Sequence, residues 1–155
     1  MASRSVLFFF ITFIISCSSS ISNDTFVDDF SDENLKTLGS DGPYFYGEQY
    51  SGRNNYINYY PGNIPVILSI PHGGELVPVE IPDRTYGVSV TDSNTIELGS
   101  SISDYMYENF NIRPYLIINN LKRTKMDANR DKIEAAQNNI FAERAFDEFH
   151  YYISS

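Results

Sequence analysis

Residues 64–75, IPVILSIPHGGE, decide the fold class of this chain. The first half, IPVILSI, is a short and nearly continuous apolar run with β-branched residues between prolines, which predicts a buried strand. The second half contains His72, one of only two histidines in the 155 residues, and Glu75 three positions later. Functional groups in open α/β sheets gather at the carboxyl ends of strands, and these two side chains stand just past such an end.

The segments that follow continue an alternation of strands and helices. Residues 92–110 place apolar side chains at near-helical spacing, and Asp92 or Ser93 is the predicted N-cap. Residues 114–119 predict a second buried strand, and a last helix is expected from about Glu134 to Tyr152, with an apolar face at Phe141, Ala145 and Phe149. The order strand, loop, helix, strand, loop, helix predicts an α/β fold with a parallel sheet and helices on both faces.

Two strands alone cannot bury both the faces and the edges of a sheet. Either residues 41–63, rich in Gly, Asn and Tyr, supply further strands, or the chain stops before the fold is complete. A surface loop with stacked tyrosines is the rival interpretation of residues 41–63. Because the last helix runs into the terminus, we expect an incomplete sheet in a chain truncated at its C-terminal end.

The composition and the N-terminal residues bear on the class of protein and its location. The formal charge of −9 argues against a nucleic-acid partner, because such binders are usually basic. Residues 1–17 combine Arg4, a ten-residue apolar run and small residues, the pattern of an export signal. The single cysteine, Cys17, is either the acylated residue of a bacterial lipobox or an incidental residue of a cleaved leader. We therefore expect an exported protein, either an envelope lipoprotein attached through lipidated Cys17 or a secreted one, with a polar linker at 18–40. Residues 41–155 would then form the N-terminal part of an α/β domain.

The chemistry-bearing residues follow the two predicted strands. Imidazole and carboxylate are zinc ligands, so His72 and Glu75 are candidate metal ligands; a simple hydrogen bond between them is the alternative. The loop after the second strand offers Arg123, Asn129 and Arg130, whose side chains can hold a carboxylate or an oxyanion. The alternative for this loop is a solvated, salt-bridged charge run.

The segments PHGGE, DSNTIELGSSI and LKRTKMDANRD resemble the N-formylglutamate amidohydrolase family, which is related to the zinc carboxypeptidases. The resemblance covers about residues 64–153. It implies a partial three-layer α/β/α sandwich around a mixed sheet, a zinc-dependent exopeptidase-like (phosphorylase/hydrolase-like) fold. It further implies one zinc held by His72 and Glu75, substrate carboxylate binding by Asn129 and Arg130, oxyanion stabilisation by Arg123, and a loop ordered by the hydrogen bonds of Asp127.

The family's third zinc ligand and its general-base glutamate come from a later segment that has no counterpart before residue 155. His150, the other histidine, matches a helix position of the family and is expected in the core or an interface. The sequence thus predicts an exported, zinc-dependent amidohydrolase-like protein for an N-acyl amino acid or peptide-like substrate that carries a carboxylate, as an incomplete or inactive fragment. The alternative is a non-catalytic binding or interaction module of the envelope.

Overall fold

The computed structural model of the protein describes residues 43–154, and two parallel strands form its centre. Strand β3 (Ile67–Ile70) pairs in parallel with β4 (Tyr115–Asn119), and helix α1 (Thr95–Phe110) connects them. This confirms the two predicted strands and the intervening helix. Strand β3 begins three residues later than predicted, since Pro65 has no backbone N–H for a ladder hydrogen bond.

Two short strands extend the sheet on one side. Strands β1 (Tyr50–Ser51) and β2 (Ile57–Tyr60) complete a four-stranded sheet with the order β1-β2-β4-β3. The segment before residue 64 therefore does supply strands. The prediction of a parallel sheet is correct for β3 and β4 and wrong for β2, which pairs antiparallel with both β1 and β4. The sheet is mixed because β1 and β2 form a local hairpin, which needs no helical crossover.

Helices cover both faces of this sheet, as the alternation of side chains along the strands requires. On one face, helix α1 packs against a cluster formed by Leu68, Ile70, Leu116 and Ile118. On the other face, the C-terminal helix contacts β2 and β4, and its Ala145 and Phe149 pack with Ile57, Tyr59 and Ile117. The class is α/β, with the charged loops at the carboxyl ends of β3 and β4.

The prediction of one C-terminal helix from about Glu134 to Tyr152 is wrong, because the chain forms two helices there. Helix α2 (Lys132–Ala136) is followed by α3 (Ile140–Ser154). Gln137 and Asn138 have positive φ angles of 47° and 62°, which end the first helix. The side chain of Asn139 then accepts hydrogen bonds from the backbone N–H groups of the next helix and caps it.

The tyrosine-rich segment before β3 is more than a surface loop. The ring of Tyr59 on β2 stacks on that of Tyr152 on α3, with 4.7 Å between centroids, and Tyr44 meets Tyr59 edge-to-face at 5.0 Å. Such pairs contribute about 0.5–1.5 kcal/mol beyond the area they bury. The ring contacts of these tyrosines thus pack α3 against the hairpin of β1 and β2.

The predicted export signal, the lipobox at Cys17 and the polar linker at 18–40 lie outside the described residues. No helix within residues 43–154 combines the length and the apolar composition needed to cross a bilayer.

Candidate functional site

The segments that follow β3 and β4 meet at one edge of the sheet. Gly74 and Leu76 form parallel bridges with Lys122 and Leu121. Asn119, the last residue of β4, is buried; its Nδ2 donates to the carbonyl of Pro71 at 2.8 Å and its Oδ1 accepts from the next loop. These contacts hold His72 beside residues 120–130, as the carboxyl ends of parallel strands require.

The two glycines after His72 allow close approach rather than a special backbone turn. Neither is among the described glycines with positive φ, which are Gly47 and Gly87. A Cβ at Gly74 would overlap the backbone of Asn120, and one at Gly73 would overlap the side chain of Thr95. The reason for glycine at these positions is therefore packing: the strand-end segments and the start of α1 touch where these glycines lie.

His72 is buried between two carboxylates. Its Nε2 lies 2.6 Å from Oδ1 of Asp127, and its Nδ1 lies 3.2 Å from Oδ2 of Asp92. Asp127 is fully buried and also accepts hydrogen bonds from Nε of Arg123 at 2.9 Å and from the backbone N–H of Asn129 at 3.1 Å. Asp127 thus organises the loop, as the resemblance implied.

The environment of Asp127 determines which nitrogen of His72 carries a proton. Burial alone would raise the pKa of this carboxyl group, but the hydrogen bond and charge of His72, together with Arg123, lower the pKa to about 2. Asp127 is therefore an anion and accepts a hydrogen bond from Nε2 of His72. A charged imidazole donates to both carboxylates, whereas in the neutral imidazole the contact with Asp127 leaves Nδ1 as the acceptor that faces Asp92.

Two buried arginines balance these carboxylates. Nη1 of Arg123 lies 3.6 Å from Oδ1 of Asp92, and Nη1 of Arg84 lies 3.8 Å from Oδ2 of Asp127. Arg84 also donates to the backbone carbonyls of Val88, Arg123 and Glu134. Arg84 is a site residue that sequence reasoning missed, because its distance along the chain from the cluster gives no signal of this role.

Asp92 is the second site residue that sequence reasoning missed. It was predicted as an N-cap of α1, but the cap position belongs to Asn94, which makes no side-chain cap hydrogen bond. The carboxylate of Asp92 instead faces His72 and Arg123, and its backbone N–H donates to the carbonyl of His72 at 3.0 Å. The N-cap prediction is wrong because these tertiary contacts compete successfully for the same side chain.

The other predicted site residues are placed around the cluster. Glu75 has a 71% exposed side chain, and its carboxylate pairs with Nζ of Lys122 at 3.4 Å, not with His72. Asn129 is exposed. Arg130 is half-buried; its Nε lies 3.4 Å from Oε1 of Glu134, and its Nη1 donates to the carbonyl of Asn129. Arg123 and His72 are therefore brought together, while Glu75, Asn129 and Arg130 lie nearer the surface.

His150 lies apart from this cluster. Its Nε2 lies 3.1 Å from the carbonyl of Ala128, and its ring packs at 4.3 Å from that of Phe146. Burial lowers its pKa. His150 is nonetheless exposed on α3, so the prediction of a core position is wrong, and a position in an interface stays a prediction.

A cavity of about 110 Å³ opens between β3 and α1 beside the polar cluster. His72 and Asp92 line it together with the apolar side chains of Leu68, Ile70, Leu98 and Ile102. The space could receive an apolar group a few carbon atoms long, next to the two polar side chains.

Within residues 43–154, no set of three or more His, Cys, Asp and Glu side chains is already arranged around a common metal position. A comparison with protein-family models, with curated proteins and with solved structures finds no match to this chain.

Proposed function

We propose that this protein is a zinc-dependent amidohydrolase of the N-formylglutamate amidohydrolase type, with the three-layer exopeptidase-like sandwich of that family. Its substrate would be an N-acyl amino acid or peptide-like amide that carries a carboxylate, in the bacterial envelope or outside the cell. The observation that carries the proposal is the buried contact between Nε2 of His72 and Asp127, directly past the carboxyl end of β3.

The donor chemistry of the site fits zinc. A metal-bound histidine usually donates its other ring N–H to a carboxylate, which fixes the tautomer and makes the ligand nitrogen more basic. Asp127 stands in that relation to His72 and leaves Nδ1 as the ligand atom. Glu75, the second ligand that the resemblance implies, is restrained only by an exposed ion pair with Lys122, and such pairs contribute little stability. Its side chain is therefore free to turn.

Bound zinc would polarise the amide carbonyl and lower the pKa of a bound water to roughly 7. The residues of the chain supply the other functions. Arg123, held by Asp127 through Nε and by the carbonyl of Val90 through Nη1, would offer Nη2 to negative charge that develops on the carbonyl oxygen. Arg130 and Asn129, nearer the surface, would bind the substrate carboxylate, because a guanidinium fork matches a carboxylate with two hydrogen bonds.

Metal analysis of the full 155-residue chain tests this proposal. Zinc is expected to bind the wild-type protein and the His150→Ala variant and to be lost from His72→Ala, because only His72 has a carboxylate-oriented imidazole. The same proteins are assayed for release of formate or acetate from N-formyl and N-acetyl amino acids. A wild-type chain that binds no added zinc, or a His72→Ala chain with unchanged zinc content, contradicts the proposal.

A second candidate is a non-catalytic interaction module of the envelope. The observation in its favour is that Leu98, Tyr105 and Phe110 on α1 are 53%, 61% and 63% exposed, with the rings of Tyr105 and Phe110 in edge-to-face contact at 6.2 Å. Large exposed apolar groups that lie close together are typical of protein contact surfaces. Hydrolysis of an N-acyl amino acid by the 155-residue chain, abolished in the His72→Ala variant, would eliminate this candidate.

A further inference from the structure

We infer that Asp92 is a direct ligand of the metal, on the same side of the site as Nδ1 of His72. This inference rests on the proposed function and deepens it, since neither the sequence pattern nor the resemblance assigns Asp92 a role in metal binding. It gives the site a carboxylate ligand that comes from the loop before α1.

The first reason is the state of the two facing atoms. The short 2.6 Å contact makes Asp127 the acceptor of a hydrogen bond from Nε2 of His72, so the neutral tautomer with this bond has its lone pair at Nδ1. Asp92 presents a carboxylate oxygen to this lone pair at 3.2 Å. Two acceptors this close repel each other unless a proton or a cation lies between them. A metal cation satisfies both.

The second reason is distance. Zinc binds imidazole nitrogen and carboxylate oxygen at roughly 2.0–2.2 Å, so two such ligands at a tetrahedral angle are about 3.4 Å apart. The observed 3.2 Å between Nδ1 of His72 and Oδ2 of Asp92 is close to this value. It is longer than the roughly 2.7–2.9 Å typical of a charge-assisted N–H···O hydrogen bond. Of the two contacts that the His72 ring makes with carboxylates, the one between Nε2 and Asp127 is the shorter, at 2.6 Å.

The third reason is that the chain holds Asp92 in place by several independent contacts. Its backbone N–H donates to the carbonyl of His72 at 3.0 Å, and the hydroxyl of Thr95 donates to its carbonyl at 3.1 Å. Gly73 lets these two segments touch, because any side chain there would overlap Thr95. Arg123 lies 3.6 Å from Oδ1 of Asp92, so Oδ2 is the oxygen directed at His72.

Charge balance is consistent with this arrangement. Asp92 and Asp127 neutralise the guanidinium groups of Arg84 and Arg123. Because these four charges cancel, a bound divalent ion would leave the site with its own charge of about +2. This excess would fall by one if the carboxylate of Glu75 also turned inward. A site with excess positive charge suits a substrate that carries a carboxylate.

Cobalt titration of the full chain, followed by visible absorption and by competition with zinc, tests the inference without an activity assay. The Asp92→Asn variant is expected to bind Co²⁺ at least about tenfold more weakly than wild type, with a changed absorption spectrum, since even outer-shell substitutions cost 10–100-fold. Asp104→Asn, which removes a surface carboxylate paired with Arg113 at 3.1 Å, is the matched control and should bind as wild type does.

The outcomes separate this inference from the proposed function. Metal binding that is lost in His72→Ala but unchanged in Asp92→Asn overturns the role of Asp92 and leaves the proposed function intact. A wild-type chain that binds neither Co²⁺ nor Zn²⁺ overturns both. Folding of Asp92→Asn is checked by circular dichroism, and should it fail to fold, ¹⁵N spectra of histidine-labelled wild type replace it. In these spectra, added Zn²⁺ should shift Nδ1 of His72, and an unchanged Nδ1 signal overturns the inference.

Discussion

Replacing Glu148 with glutamine is expected to stabilise the protein at neutral and alkaline pH. Glu148 lies on α3 and is 1% exposed, and both of its carboxylate oxygens accept from the backbone N–H of Arg53, at 3.2 and 3.1 Å. Gly52 packs so closely against this carboxylate that a Cβ there would overlap it. Burial raises the pKa of Glu148 to about 7, although the N–H and the charge of Arg53 offset part of this effect.

The magnitude follows from the difference between the folded and unfolded pKa of Glu148. Between the ordinary value of 4.5 and about 7, the folded chain binds one more proton than the unfolded chain. The free energy of unfolding therefore falls as pH rises through this window, by about 1.4 kcal/mol per pH unit and by about 3 kcal/mol in total. Glutamine keeps an oxygen that accepts from Arg53 and never ionises. The variant should match wild type near pH 4 and exceed its stability by about 3 kcal/mol at pH 8.

Urea unfolding followed by circular dichroism, at pH values from 4 to 8 and with a metal chelator present, measures this difference. Glu108→Gln removes an exposed carboxylate on α1 and serves as the control, with an expected change below about 0.5 kcal/mol at every pH. If the curves of stability against pH for wild type and Glu148→Gln run parallel from pH 5 to 8, the reasoning is refuted.

Three further predictions concern the candidate site. The folded chain holds the pKa of Asp127 at about 2, below its ordinary 3.8, so the charged carboxylate contributes roughly 2 kcal/mol to the free energy of unfolding. This contribution is present above pH 4 and is lost as pH falls through 2. Asp127→Asn should therefore flatten the acid limb of a curve of stability against pH measured by urea unfolding. Gly74→Ala should lower the free energy of unfolding by about 3 kcal/mol in the same assay at pH 7, because the new methyl group overlaps the backbone of Asn120. Asn119→Ala should lower it by roughly 2–5 kcal/mol, since two buried backbone groups lose their hydrogen-bond partner.

Each of these predictions has an outcome that contradicts it. An acid limb in Asp127→Asn identical to that of wild type would mean that the carboxylate is not held as an anion by its partners. A Gly74→Ala variant of wild-type stability would show that the two strand-end segments separate at little cost. A loss below about 1 kcal/mol in Asn119→Ala would mean that water replaces both of its hydrogen bonds.

The parts of the fold that could be predicted are those with strong local patterns. Strands β3 and β4 are near-continuous apolar runs, and the apolar residues of α1 have a clear helical spacing. Each of these elements can therefore be predicted from the local sequence alone. The break between α2 and α3 was missed although Gln137, Asn138 and Asn139 are polar and suit a helix end. The apolar spacing resumes at Phe141, so the pattern suggested continuity where the backbone turns.

The candidate site could be predicted only as far as chain connectivity reaches. His72 and Arg123 follow adjacent strands, so parallel pairing brings them to one edge, and this expectation was correct. Asp92 precedes α1, and only the packing of the crossover against the segment after β3 brings it to the ring of His72. Arg84 reaches the cluster from an irregular loop in the same way. No local pattern encodes either contact.

The composition of the buried cluster is itself an argument about function. The cluster consists of charged and titratable side chains removed from water, at a place where apolar side chains would pack without a desolvation cost. Its members are Arg84, Arg123, Asp127 and His72. Buried ion pairs seldom stabilise a fold relative to well-packed apolar residues of similar size. The core of this protein already lies on the two sheet faces, so the cluster is not needed to hold the layers together. Stability relative to a well-packed apolar cluster therefore does not account for these charges, whereas the proposed metal and anionic substrate at the carboxyl ends of β3 and β4 would.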